Sequence, residues 1–321
     1  MPGSEPRPAA EAVDLVRASV AGADRVLVTG GSGWFGRTML ALLAHAHGPG
    51  WVGTHVLATA GSSRLIDVLG VGPVEVVRAQ PEQVAAFAPT LIVNCAFPTR
   101  DRVAELGRQR YVALGRGLTR QFLGYLGLPS VERAVTLSSG AAVPSERFPD
   151  DVRRNPYGVL KAEEERATLR LARKTGRIAV VCRVWAVSGP HVQRPENYAL
   201  SGMALEGLRS GTVTVRARGT VLRSYVSVED ALAVSSALCT RRSSLLDTGG
   251  VVAEVGEVAH AVAECLAGAR VQRPERDPDT PADIYLGDTA AWDGLGTSLG
   301  LGERTLVEQV RDTLAGLAAR V

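Results

Sequence analysis

Val26-Leu27-Val28-Thr29-Gly30-Gly31-Ser32-Gly33-Trp34-Phe35-Gly36 is the stretch that decides the fold of this 321-residue chain. An apolar strand runs into glycines at positions 30, 33 and 36, and Met39, Leu40, Leu42 and Leu43 then continue at helical spacing. A strand that turns through glycines into a helix can cradle a dinucleotide pyrophosphate. Gly30 permits the tight turn, Gly33 lets the backbone approach the phosphates, and Gly36 lets helix and strand pack closely. The helix start adds N–H groups and positive dipole. Trp34 and Phe35, inside the first helical turn, count with the three glycines as candidate cofactor contacts. The three-and-three glycine spacing differs from the two-then-three spacing of the general dinucleotide fingerprint.

Outward from this turn, short apolar strands alternate with periodic helices. Strands are expected at 25–29, 55–59, 74–77, 91–94, 134–137 and 178–184, and helices at 33–46, 102–126 and 156–175. Repeated βα units of this kind imply a Rossmann-type, doubly wound parallel sheet covered on both faces. After Pro190 the alternation degrades into a helix at 197–209, a strand at 213–216, a helix after Val228, another at 255–266 and a last one from Glu303. The expected organisation is an N-terminal extension over 1–22 lying outside the core fold, with a helix at 9–20. A dinucleotide-binding domain over 23–186 follows, with a return segment near 222–248. A smaller C-terminal α/β lobe is expected from 187–221 and 249–321.

Chemistry enters at Tyr157. Only two of the 36 basic residues are lysines, and one of them, Lys161, stands four residues after Tyr157. On a helix that spacing puts phenol and ammonium on one face, about 5–6 Å apart at their Cβ atoms. A cation there favours the tyrosinate and draws the phenol pKa down from ~10. A surface helix pair is the plainer alternative. Ser138-Ser139 closes the fifth expected strand, and a serine hydroxyl beside a tyrosine acid can donate to a substrate carbonyl. The following Glu163-Glu164-Glu165 reads most simply as a solvated face.

Composition excludes other classes. The net charge is +3 with arginines scattered among acids, so no clustered basic face for nucleic acid is expected. No apolar run approaches the ~20 residues that span a bilayer, and the N-terminus lacks a secretory pattern. Four dispersed cysteines and five histidines without zinc-like spacing point to a cytoplasmic, metal-free protein with free thiols.

The glycine turn, Ser138-Ser139 and Tyr157…Lys161, in this order, resemble the extended short-chain dehydrogenase/reductase family, in its NAD-dependent epimerase/dehydratase branch acting on nucleotide sugars. Asn94-Cys95-Ala96, Asn155-Pro156-Tyr157, Gly189-Pro190 and Arg223-Ser224-Tyr225 extend the resemblance over residues 24–319. It implies Tyr157 as general acid/base, Lys161 as nicotinamide-ribose ligand and Ser139, by counting from Val131, as carbonyl donor. It further implies Asn94, Cys95 and Ala96 at the cofactor, Asn197 and Arg223 at the nucleotide-sugar substrate, and a homodimer. The C-terminal lobe would then bind the substrate. The sequence also departs from the family pattern. Gly140-Ala141-Ala142 stands where the 4,6-dehydratases carry acids, and no cysteine follows Ser139. Ala186 replaces a frequent asparagine, the usual fourth-helix asparagine is missing around Val112–Gly115, and Gln80 and Glu82 stand where an aspartate contacts adenine.

Cofactor choice is legible after the second strand. An NAD enzyme places an acid there for the ribose 2′-hydroxyl. This chain has Ala60-Gly61-Ser62-Ser63-Arg64, and Ser62, Ser63 and Arg64 suit a 2′-phosphate, which points to NADP, with NAD as the alternative. The expected activity is reduction of a keto group on a nucleotide-linked 4-keto-6-deoxy sugar. The alternatives are an NAD-dependent 4-epimerase and a non-catalytic NAD(P)-binding regulator, the latter opposed by the intact Ser139, Tyr157 and Lys161.

Overall fold

Val26–Thr29 is apolar enough to be buried on both faces, and in the computed structural model, which describes residues 7–277 and 279–319, it is the first strand of a parallel sheet. The order is α1 (Ala10–Ser19), β1 (Val26–Thr29), α2 (Trp34–His47), α3 (Pro49–His55), β2 (Val56–Thr59), β3 (Arg64–Val68), β4 (Gly72–Val76), α4 (Pro81–Phe87) and β5 (Leu91–Asn94). Then come α5 (Arg102–Leu106), α6 (Arg108–Leu126), β6 (Arg133–Ser139), a 3₁₀ turn at Gly140–Ala142, α7 (Pro156–Thr175) and β7 (Ile178–Val184). β2, β1, β5, β6 and β7 lie side by side in parallel. Leu27, Ile92 and Ala134 of the sheet pack against Phe122, Tyr125 and Leu126 of α6. The chain steps from β1 outward to β2 and crosses back to β5 on the other side. That reversal leaves the carboxyl ends of β1 and β5 flanking the position where α/β sheets take ligands.

Three expectations change. The stretch at 74–77 does not add a strand to the parallel sheet. β4 pairs antiparallel with β3, and only a bridge between Thr59 and Val77 joins this hairpin to β2. The single helix expected over 102–126 is broken at Gly107, whose φ of 73° suits glycine and ends α5 before α6 begins. The segment expected outside the core is instead docked. Ala12, Val13, Val16 and Val20 are buried, and Arg17 donates to the Ala46 carbonyl at 2.9 Å. Arg133, at the start of β6, donates to the Ser19 carbonyl and pairs with Asp24 at 2.6 Å. An apolar stripe on α1 has to be covered, and α2 covers it.

Contacts divide the chain into two compact units. The first is Pro8–Val184 with Leu232–Leu246, and the second is Trp185–Ala231 with the chain from Asp247. The second contains β8 (Ala186–Ser188), α8 (Ala199–Ser210), β9 (Thr212–Thr214) and β10 (Val221–Ser227). The boundary falls within α9 (Val228–Leu238), after which β11 (Ser244–Asp247) supplies the sixth strand of the first unit's sheet, beyond β7. The return is therefore shorter than the expected 222–248. β10 stays in the second unit, paired with β8 and with β12 (Val251–Glu254) and β14 (Asp283–Tyr285). α10 (Val255–Cys265), β13 (Arg270–Gln272), α11 (Thr289–Leu299) and α12 (Leu306–Ala318) complete it, with β13 parallel to β9.

Candidate active site

The glycine turn is shaped by backbone crowding. Gly30 has φ 67°, and a Cβ there would lie 2.7 Å from the Cys95 carbonyl oxygen and 2.8 Å from the Ala96 nitrogen. A Cβ on Gly36 would lie 2.3 Å from the Gly30 oxygen. The glycines therefore let the turn, the start of α2 and the backbone after β5 share one small space. Gly33 is the N-cap of α2 and no side chain caps that end, so the first turn carrying Trp34 and Phe35 is suited to an anion. These features fit a dinucleotide pyrophosphate. In the loop between β2 and β3, Arg64 at the start of β3 donates to the Ser62 hydroxyl at 2.5 Å, both exposed, while the Ser63 hydroxyl accepts from the Arg78 amide at 2.9 Å.

Tyr157 and Lys161 sit on the first turns of α7. Asn155 caps the helix by accepting from the Gly158 amide at 3.0 Å, and Pro156 opens it. Gly158 is forced to be glycine, since a Cβ would fall 1.9 Å from the Ala141 oxygen. The small residues Gly140-Ala141-Ala142 thus seat the helix start against the end of β6. This seating brings Ser139 to Tyr157, and the two hydroxyls are hydrogen-bonded. Ser138 points elsewhere and donates to Glu165 at 2.6 Å. Phe97 meets the Tyr157 ring edge-on, with centroids 6.0 Å apart.

The electrostatics differ from expectation. Burial holds the Tyr157 pKa above the ordinary phenol value. Glu164 pushes in the same direction, while the Ser139 hydrogen bond and Arg100 oppose it. Lys161 is not among the groups that draw the phenol down, and its ammonium is engaged elsewhere. Only 4 % exposed, it donates to the Leu137 carbonyl at 2.6 Å and to Glu164 at 2.9 Å, and lies 3.8 Å from the Phe97 ring centre.

Glu164 and Glu165 correct the reading of 163–165 as a solvated face. Both are buried. Glu165 holds Arg183 through two contacts of 2.8 Å, and Glu163 alone remains near the surface, paired with Arg116. Helical spacing could have revealed this, since 157, 161, 164 and 165 are positions i, i+4, i+7 and i+8 of one face. Asn94 is also fully engaged. Its Oδ1 accepts from Thr29 at 2.6 Å, and its Nδ2 donates to Thr136 at 2.9 Å and to Glu164 at 3.1 Å. Burial pushes the Cys95 thiol up to about 12, so it is no thiolate nucleophile.

The two candidate substrate residues lie in the second unit. Asn197 ends an exposed 3₁₀ turn, Pro195–Asn197. Arg223, on β10, pairs with the Asp283 carboxylate at 2.7 Å and also donates to the carbonyls of Leu222 and Asp283.

Fold and site together define a dinucleotide-binding α/β enzyme of the short-chain dehydrogenase/reductase type. The chain belongs to the NAD dependent epimerase/dehydratase family, whose model matches residues 26–251. No curated protein sequence matches it. Among solved structures it is similar to the epimerase Mth375 of Methanothermobacter thermautotrophicus, with 20% identity and TM-score 0.72 over 97% of this chain and 96% of that one. The Thermus thermophilus UDP-glucose 4-epimerase, solved with NAD, has 23% identity and TM-score 0.69 over 92% of this chain and 100% of its own. RMD of Pseudomonas aeruginosa, solved with NADPH, has 20% identity and TM-score 0.67 over 93% and 100%.

Proposed function

We propose that the protein is an NADP-dependent reductase of a nucleotide-linked 4-keto-6-deoxy sugar, with Tyr157 as the proton donor. The observation that carries this reading is the half-buried phenol of Tyr157, hydrogen-bonded to Ser139, whose desolvation raises its pKa and keeps its proton available for a developing alkoxide. When bound, the nicotinamide supplies the hydride. The chain's own residues do the rest. Ser139 orients the carbonyl oxygen toward Tyr157, and Lys161 holds the ribose and balances charge. The backbone of Gly30, Gly33 and Gly36, with Cys95 and Ala96 alongside, receives the pyrophosphate. Ser62, Ser63 and Arg64 receive the 2′-phosphate that selects NADP. Asn197 contacts the nucleotide, and Arg223 exchanges its Asp283 partner for the substrate diphosphate. The protein acts as a cytoplasmic homodimer.

A 4-epimerase is the second reading, supported by similarity to a 4-epimerase solved with NAD. The two differ in what happens to the cofactor. An epimerase returns the same hydride and profits from keeping its NAD, whereas a reductase releases oxidised cofactor every turn. Denatured protein should therefore yield little bound nucleotide, and NADPH absorbance should fall stoichiometrically with a keto-sugar nucleotide. Near-stoichiometric bound NAD, with sugar interconversion and no net NADPH loss, would establish the epimerase instead.

A further inference from the structure

Lys161 is joined to the glycine turn by a continuous buried chain of hydrogen bonds. Thr29, the last residue before Gly30, donates to Asn94, which is its register partner on β5. Asn94 donates to Thr136, its own partner on β6, and to one oxygen of Glu164. The other oxygen of Glu164 receives the Lys161 ammonium at 2.9 Å. Glu164 has 2 % of its side chain exposed and Lys161 has 5 %. Burying a carboxylate is costly unless every lone pair finds a partner. An apolar residue at this position would take one acceptor each from Asn94 and Lys161.

We propose that Glu164 is a positioning residue for the proposed reaction: its carboxylate, gripped by Asn94, fixes the place from which Lys161 meets the cofactor ribose. One carboxylate spans strand network and ammonium, so the lysine's position is referenced to the strand that carries the phosphate-binding turn. This inference rests on the dinucleotide reading above. Other groups also face the pair. Ser139 at the end of β6 touches Tyr157, Arg100 approaches from before α5, and Tyr111 of α6 and Cys95 after β5 couple to Tyr157 and Lys161 respectively.

Two variants separate position from charge. Glu164→Asp keeps the charge but withdraws the carboxylate by one methylene, and Glu164→Gln keeps the length but removes the charge. Both should weaken NADPH binding, followed by cofactor fluorescence, by about 10-fold or more, the scale of a lost charge-assisted hydrogen bond. The tyrosinate absorbance that disappears in Tyr157→Phe gives a second reading, independent of substrate. Its titration should move to lower pH in Glu164→Gln, because a negative charge beside the phenol is gone, and should stay near the wild-type position in Glu164→Asp. Wild-type cofactor affinity in both variants, or an unmoved titration in Glu164→Gln, overturns the inference. If Glu164→Gln fails to fold, Lys161→Met/Glu164→Gln removes both buried charges; it should fold and bind NADPH weakly, and wild-type affinity there overturns the inference too. Wild-type protein that binds neither NADPH nor NADH overturns both this inference and the proposed function.

Discussion

Tyr157 holds its proton because the residues around it leave the anion little support. Its lysine is bound by Glu164 and Leu137, Ser139 offers one hydrogen bond, and burial does the rest. A protonated phenol of this kind suits the proton-donor role proposed for Tyr157 better than that of a standing base. Replacing Tyr157 with Phe should leave NADPH affinity intact and lower turnover on a keto-sugar nucleotide by about 10²–10⁴-fold, measured by NADPH absorbance. Lys161→Met should damage both affinity and turnover, since in the proposed mechanism the ammonium holds the ribose and balances charge. Full turnover in Tyr157→Phe would remove the tyrosine from the chemistry.

At the scale of elements, two helix starts carry the clearest predictions. α2 can begin where it does only because Gly36 has no side chain. The neighbours 2.3 and 2.6 Å from its missing Cβ are the backbone of Gly30 and Gly31, which cannot swing aside. Gly36→Ala should cost about 1–3 kcal/mol by overpacking and weaken cofactor binding. Gly50→Ala in α3, where a Cβ meets nothing within 4 Å, is the control expected to fold and bind normally. α10 begins at Glu254, which caps the helix by accepting from the Gly256 amide at 2.7 Å and holds Arg273 at 2.7 and 2.9 Å. Arg273 holds the Glu254 carboxyl at about 2, against an ordinary 4.5. A depressed carboxyl stabilises the fold fully above its unfolded pKa and loses that contribution as pH falls through the folded one. The Glu254 contribution should therefore be complete above pH 4.5 and disappear toward pH 2. In urea titrations, Glu254→Gln should cost about 1.5–3 kcal/mol at neutral pH and little near pH 2. An equal loss at both pH values would show that the charge is not what matters.

At the scale of the whole molecule, cofactor choice is readable as stability. A ligand at 100 times its Kd stabilises the folded state by about 2.7 kcal/mol, a rise of roughly 4 °C in Tm for a chain of 321 residues. NADPH should produce that shift at concentrations where NADH produces little, and Arg64→Ala should remove most of the difference. Equal shifts by NADPH and NADH in the wild type would mean that the Ser62, Ser63 and Arg64 cluster does not read the 2′-phosphate. No helix among the described residues is long and apolar enough to cross a membrane.

What the sequence determined by itself was local: a strand entering glycines, a tyrosine and lysine one helical turn apart, serines at a strand end. These signals depend on spacing of a few residues, so the Rossmann-type fold, β1, β5, β7 and α7 are legible without coordinates. The tertiary structure decided everything that depends on partners distant in sequence. The β3–β4 hairpin replaces an expected parallel strand because antiparallel pairing across a short turn satisfies the backbone groups of Arg64–Val68 and Gly72–Val76. α1 joins the first unit because α2 offers its stripe a surface. Glu164, read as solvated, is buried because Asn94 and Lys161, 70 and 3 residues away, converge on its two oxygens. Burial of a charge is set by the partners that meet it in space, and a one-dimensional pattern carries no record of a partner 70 residues distant.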